Sequence, residues 1–252
     1  MFMNNDPFKS DYFLGTSGWM YKHWKGLFYP EDMENKNMLK YYSQEFNTVE
    51  INNTFYKLPK KQVVRDWKEN TPNNFVFSIK ANRYITHMKN LKDGKEPVGN
   101  LINSIRVLGE KLGPILFQLP PQWNLNYERI KDFIEHLPDS YQYVFEFRNS
   151  SWYDDKVYNL LRENDIVLCI HDISGKSSPQ IITANFLYIR FHGPYGNYHN
   201  KYPMSHLEEW SKKISSWLKK GLSIFAYFNN DAYGRAIKNV RELGKILKTN
   251  IK

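Results

Sequence analysis

Residues 115–147 read ILFQLPPQWNLNYERIKDFIEHLPDSYQYVFEF. The stretch opens on an apolar run, Ile115 to Leu119, which two prolines stop. Asn126 then offers a helix cap with Glu128 in the turn behind it, the arrangement that satisfies free N–H groups and suits the helix dipole. A helical stretch carries the chain to position 137, and a β-rich run follows at 143–147. Strand, helix and strand in succession make a right-handed βαβ unit.

Working outward, the same alternation recurs along the chain. β-rich runs lie at 12–15, 48–52, 75–80, 115–119, 143–147, 166–170, 186–191 and 222–228. Most are near-continuous in apolar residues, as strands buried on both faces require. Helical stretches lie at 38–46, 61–70, 98–112, 126–137, 152–164, 205–219 and 233–247. Eight strands with intervening helices predict one α/β domain over 1–252, a (β/α)8 barrel of the TIM type. The crossover between strands six and seven, 173–185, is too short for a full helix.

Composition is compatible with this. The 252 residues are 41% hydrophobic, enough for a large core and too many for a disordered chain. A single cysteine, Cys169, excludes a disulfide framework and a multi-cysteine zinc site; mid-strand, it reads as a small buried hydrophobe. The net charge is +9 and aromatics make up 16%, a pairing that suits bases, sugars and phosphates. Met1 to Ser10 has neither the basic nor the apolar region of a signal peptide. No window approaches the roughly 18 apolar residues of a membrane span. The cytoplasm is the expected location, with no membrane partner.

In such a barrel the site lies at the carboxyl ends of the strands, and side chains at i and i+2 point the same way. Polar groups collect there: Glu50 and Asn52, Lys80, Gln118, Glu146 and Arg148, His171 and Asp172, Arg190 and His192, and Tyr227, Asn229 and Asn230. Glu146, Asp172 and His192 are the expected catalytic groups. Lys80, Arg148, Arg190, Glu50, Asn52, Gln118, Tyr227, Asn229, Asn230, Trp19 and His87 are the expected substrate-binding ones. Because His171 and Asp172 have opposite parity, Asp172 is expected to face the site and His171 to pack. Glu50, Glu146, Asp172 and His192 also form a candidate set for a divalent metal. The alternative is that Glu50 and Glu146 close an ionic network with Lys80, Arg148 or Arg190. The segment Gly18–Tyr29 is either a stacking wall for rings or a hydrophobic plug. Asp231 either helps an anion site at the following helix or only caps that helix.

Seven consecutive motifs carry a family resemblance: GTSGWMYKHWKGLFYP (15–30), FNTVEINNTFYKLP (46–59), FSIKANRYITH (77–87), LGPILFQLPP (112–121), VFEFRNSSW (144–152), YIRFHGPYG (188–196) and YFNNDAYG (227–234). Over about 13–247 the chain resembles the YecE-like family, domain of unknown function 72. The resemblance implies a TIM-type barrel and supplies no reaction. By fold it is similar to the endonuclease IV and xylose isomerase group of barrels, which use divalent metals. The expectation is an enzyme for a small anionic, phosphate-bearing or sugar-like substrate, with metal-assisted phosphoester hydrolysis first. Sugar isomerase or lyase chemistry and non-catalytic nucleic-acid binding are the alternatives.

Overall fold

The computed structural model describes residues 12–195 and 200–250. The reading of Met1–Ser10, the last residue of YIRFHGPYG and Lys252 lie outside the described residues. The chain opens with β1 (Tyr12–Thr16), α1 (Asn35–Glu45), β2 (Thr48–Ile51), α2 (Lys61–Glu69), β3 (Val76–Lys80) and α3 (Lys95–Ile105). It continues through β4 (Leu112–Gln118), α4 (Tyr127–Glu135), β5 (Tyr143–Glu146) and α5 (Asp155–Glu163). Next come β6 (Val167–Leu168), β7 (Ile170–Ile173), β8 (Lys176–Ser177) and β9 (Phe186–Phe191). α6 (Met204–Lys219), β10 (Ser223–Phe228) and α7 (Arg235–Asn250) complete the described chain.

Each expected helix is present, with shifted ends. The expected helix 98–112 stops at Ile105, and a 3-10 segment, Arg106–Lys111, carries the chain into β4. At Gly109 in that segment φ is 59°, a conformation glycine adopts without steric cost. The Asn126 cap is observed: its side chain accepts from the Arg129 N–H at 3.0 Å. Between β7 and β9 there is no helix, only β8, which pairs antiparallel with β7.

The strand ladders form two five-stranded sheets, ordered β1-β10-β9-β7-β8 and β2-β3-β4-β5-β6. The expected single eight-stranded closed sheet is therefore not what the ladders draw. The expected sixth strand is split between the sheets, β6 pairing with β5 and β7 with β9. At the break, the Cys169 N–H donates to the Phe145 carbonyl at 2.8 Å. At the other junction a single parallel bridge joins Ser17 to Glu50. Gly15 permits that approach, since a Cβ there would lie 2.3 Å from the Thr48 carbonyl oxygen.

One apolar cluster fills the space between strands and helices. A second is built from alternate strand residues of both sheets, including Phe13, Val76, Leu116, Val144, Cys169 and Phe225. The two sheets thus pack on each other through their helix-free faces. That inner face sets the frame for every polar residue at the strand ends.

Candidate functional site

Counting by twos from the inner cluster identifies the residues that face the site. On β9 the inner series is Phe186, Tyr188, Arg190 and, just beyond the strand, His192. On β5 it is Val144, Glu146 and then Arg148. On the split strand it is Val167, Cys169 and His171. Glu50, Lys80 and Gln118 end the inner series of β2, β3 and β4.

Arg190 is the hub. It is 1% exposed and donates to Glu146 Oε2 at 2.5 Å and Glu50 Oε1 at 2.8 Å. Glu50 also accepts from Ser17 Oγ and Tyr188 Oη, each at 2.7 Å. Glu146 is paired a second time, with Arg148 Nε. Burial by itself would raise the Glu146 carboxyl, but Arg148 and Arg190 outweigh it and hold the group well below the usual carboxylate range. A carboxylate held in this way is a weak base. In the structure it holds two guanidinium groups, a geometry that suits a fixed anion better than the expected acid–base role. Of the two readings of Glu50 and Glu146, the ionic network is the one observed.

Two histidines, His192 and His171, end inner series beside the arginines. Arg148 Nη2 lies 2.7 Å from His192 Nε2. A guanidinium has only donors to offer, so Nε2 accepts. Nδ1 lies 3.3 Å from Asn229 Nδ2, and Nε2 also lies 3.5 Å from Glu146 Oε1. Burial first, with Arg148 and Arg190 adding to it, lowers the His192 pKa well below its ordinary value. His171 is lowered to about 4, chiefly by burial. Its ring centroid is 6.4 Å from that of His192, and its buried Nδ1 has no hydrogen-bond partner among the described residues.

Lys80 completes the cluster. Its Nζ donates to Gln118 Oε1 at 2.7 Å and lies 4.4 Å from the centre of the Phe55 ring. Arg190 Nη1 is 3.4 Å from the same Gln118 oxygen. Among the described residues no carboxylate pairs with Lys80. Burial and the nearby Arg190 lower its pKa to about 8. Three cations, Lys80, Arg148 and Arg190, thus share two carboxylates, Glu50 and Glu146, and one positive charge is left over. Lys80, Gln118, Arg148, Asn52 and Asn229 keep some exposure and form the mouth, whereas Glu50, Glu146, Arg190 and His192 form the floor.

Several expected site residues are elsewhere. Asp172 points away from the inner face, toward α6. It binds His206 Nε2 at 2.8 Å, Trp210 Nε1 at 3.1 Å and Tyr202 Oη at 3.1 Å. The expected parity of His171 and Asp172 is therefore reversed: Ile170, His171 and Asp172 pair with Ile189, Arg190 and Phe191 of β9, which puts His171 beside Arg190. The signal was in the sequence, since Val167, Cys169 and His171 form the alternating series that ends on the histidine.

Asn230 also faces outward, donating to Asn239 Oδ1 and the Asn200 carbonyl, both at 2.9 Å. Tyr227 is fully buried beneath the cluster, its hydroxyl held between Thr48 Oγ1 at 2.7 Å and Ser78 Oγ at 2.6 Å. Trp19 packs edge-on against Trp67 of α2. The segment around it behaves as a plug, with Trp24 and Phe28 buried against Tyr42 and Tyr29 against Tyr41. Asp231 accepts from Trp24 Nε1 at 2.7 Å and pairs with His23 at 2.9 Å, so it ties the loops after β1 and β10 together. His87 stands edge-on to Phe55, one ring removed from Lys80.

The proposed metal ligands do not suit a cation. Asp172 is on the wrong face, and both carboxylates are already bound to guanidinium groups. No cluster of three or more His, Cys, Asp or Glu side chains among the described residues is arranged to hold a metal ion.

Among the described residues, cavities also lie outside the cluster. The larger, about 1050 Å³, sits at the amino ends of the strands and is lined by residues such as Phe13, Asn47, Val76 and Lys245. The smaller, about 360 Å³, is on the carboxyl side beside Tyr56, Asn82 and Lys89. Size alone favours the larger one, but the titratable groups with altered proton affinities converge at the Arg190 cluster. No helix among the described residues is long and apolar enough to cross a membrane.

These observations define an α/β protein of parallel strands with a buried polar cluster at their carboxyl ends. The chain belongs to the family described as "Protein of unknown function DUF72", which it matches over residues 13–252. It is 24% identical over 268 residues to the UPF0759 protein YunF of Bacillus subtilis (strain 168), covering 93% of this chain and 94% of YunF. With the UPF0759 protein YecE of Escherichia coli (strain K12) it shares 28% identity over 142 residues, 56% of this chain and 50% of YecE. The crystal structure of a DUF72 family protein from Thermotoga maritima superposes with a TM-score of 0.84 at 29% identity, over 94% of this chain and 99% of that one.

Proposed function

We propose that this chain is a cytoplasmic enzyme built as a single closed eight-stranded barrel, with its active site at the Arg190 cluster. The Ser17–Glu50 bridge and the split strand 167–173 would be the two seams of that barrel. The substrate is a small anionic or sugar-like molecule. The observation that carries this reading is Lys80, a cation at the mouth with no carboxylate partner among the described residues, beside an otherwise neutralised network. The surplus charge supports an anionic partner, which would be held in a low-dielectric site where Coulomb attraction is strong. Two neutral imidazoles, His171 and His192, supply groups that polarise a carbonyl or hydroxyl.

Isomerase or lyase chemistry fits this set better than metal-assisted phosphoester hydrolysis, because guanidinium groups already hold the carboxylates a metal would need. Thermal-shift titration with inorganic phosphate, glucose 6-phosphate and glucose tests the reading. Phosphate-bearing compounds are expected to stabilise the protein, and Lys80→Met to abolish the effect. Equal response of the wild type and Lys80→Met to phosphate sinks it.

A second reading, nucleic-acid binding, draws on one observation. Tyr56, Tyr84 and Tyr233 are exposed on loops after β2, β3 and β10. They are accompanied by Arg83, Lys89 and Arg235 at 5.8, 5.8 and 5.2 Å from their ring centres. Such pairs suit stacked bases. This reading predicts oligonucleotide affinity that falls steeply with salt and survives Glu146→Gln.

A further inference from the structure

We propose that Lys80 is a carbonyl-reactive amine that forms an imine with the substrate; this rests on the Arg190 cluster being the active site. The geometry separates Lys80 from an ordinary ion-pairing lysine. Its Nζ ends the inner series of β3 at the mouth of the cluster, hydrogen-bonded among the described residues only to the neutral Gln118 amide and backed by the Phe55 ring. A carboxylate partner would lock the group as ammonium, and none is present among the described residues. The charged and titratable groups around it come from several elements: Glu50 at the end of β2, Glu146 and Arg148 at the end of β5, Arg190 on β9 and His87 in the loop after β3. Of these, Arg190 is bridged to it through one Gln118 oxygen.

A desolvated lysine beside a second cation is the arrangement that frees an amine lone pair near neutral pH. The lowered proton affinity of Lys80, to about 8, agrees with this placement. About a tenth of the amine is then neutral at pH 7, against fewer than about one in a thousand for an ordinary lysine.

The chemistry balances without a further reagent. The neutral nitrogen attacks the carbonyl carbon, a C–N bond forms, and the carbonyl π electrons move to oxygen. That oxygen takes up the proton the nitrogen sheds, giving a carbinolamine. The C–O bond then breaks as the nitrogen lone pair forms C=N, and the oxygen leaves as water with the second nitrogen proton. His171, whose buried Nδ1 has no hydrogen-bond partner among the described residues, lies on the inner face beside Arg190 and in this proposal hydrogen-bonds the departing oxygen.

The test is borohydride trapping on the whole protein at pH 7. Dihydroxyacetone phosphate is the probe, and peptide mass spectrometry reads each lysine separately. The expected result is reduced adduct at Lys80 at least about tenfold above the median of the other lysines. The extent of trapping should rise with pH to a midpoint near 8, and Lys80→Arg should lose the adduct. Adduct spread evenly over the lysines overturns the proposal. Because the wild type is read residue by residue, a misfolded variant cannot mask the answer. Stabilisation by phosphate without selective trapping overturns the imine and leaves the anion site standing. Absence of both overturns the two together.

Discussion

Two buried ionic clusters lie on opposite faces of the same strands, one residue apart in sequence. On the outer face Asp172 is enclosed by His206, Trp210 and Tyr202. On the inner face Arg190 joins Glu50 and Glu146, with Arg148, His192, Gln118 and Lys80 around them. The outer cluster has a donor for each carboxylate oxygen, and α6 covers it. The inner cluster has a surplus cation, a histidine nitrogen without a partner among the described residues and a mouth of half-buried polar groups. A satisfied cluster anchors a helix. An incompletely satisfied one at the carboxyl ends of parallel strands is where a ligand would supply the missing partner.

The largest effect that sharpens this contrast is expected at Arg190. Arg190→Met removes the only described cation of Glu50 and one of the two that hold Glu146. Leaving a buried carboxylate unpaired costs about 3–5 kcal/mol. The urea unfolding midpoint should fall accordingly, and the loss should shrink when Glu50→Gln is added, since the orphaned charge is then gone. A double variant as unstable as the single one would mean that the arginine acts by packing and not by charge.

The contrast also explains what could be read from sequence. The strand-and-helix order was legible because buried parallel strands need continuous apolar runs, and these were plain in 115–119, 143–147 and 186–191. Glu50, Lys80, Glu146, Arg148, Arg190 and His192 were legible because a charge interrupting such a run needs a reason. Parity at His171 and Asp172 was not, because the run 166–173 is divided at Cys169 between two ladders and its frame is set by β9 rather than by its own pattern. Asn230 and Tyr227 were misjudged for a related reason. A polar residue near a strand end can serve the layer behind or beneath the site, as Asn230 does with Asn239 and Tyr227 with Thr48 and Ser78. The plug around Trp24 was undecidable from composition, since aromatic side chains serve ligands and cores equally well.

A smaller effect is expected on the outer face. Asp172→Asn keeps one acceptor for Tyr202 or Trp210 and removes the charge that faces His206. The loss should be about 1–3 kcal/mol, read from urea unfolding, with phosphate stabilisation unchanged. Loss of phosphate binding without loss of stability would show that the two faces are coupled, contrary to the separation drawn from parity.

The smallest effect, and the most specific, is on the pH dependence of stability. Lys80 has its folded proton affinity depressed to about 8, against about 10.4 in an unfolded chain. Between those values the unfolded state binds more protons than the folded one, so stability rises with pH across that window. Below about pH 8 the cost of holding the ammonium in the cluster is present in full. Lys80→Met removes both the cost and its pH dependence. At pH 7 the variant should be more stable by on the order of 1 kcal/mol, a figure that allows for solvent screening at the partly exposed mouth. Its stability between pH 8 and 10.5 should lose the upward component seen in the wild type, as measured by urea unfolding at fixed ionic strength. No substitution in the Asp172 cluster should change that component, because its charges lie on the other side of the strands. If Asp172→Asn flattens the alkaline rise as much as Lys80→Met does, the surplus charge is not localised at Lys80. The inner cluster would then be, like the outer one, a structural anchor.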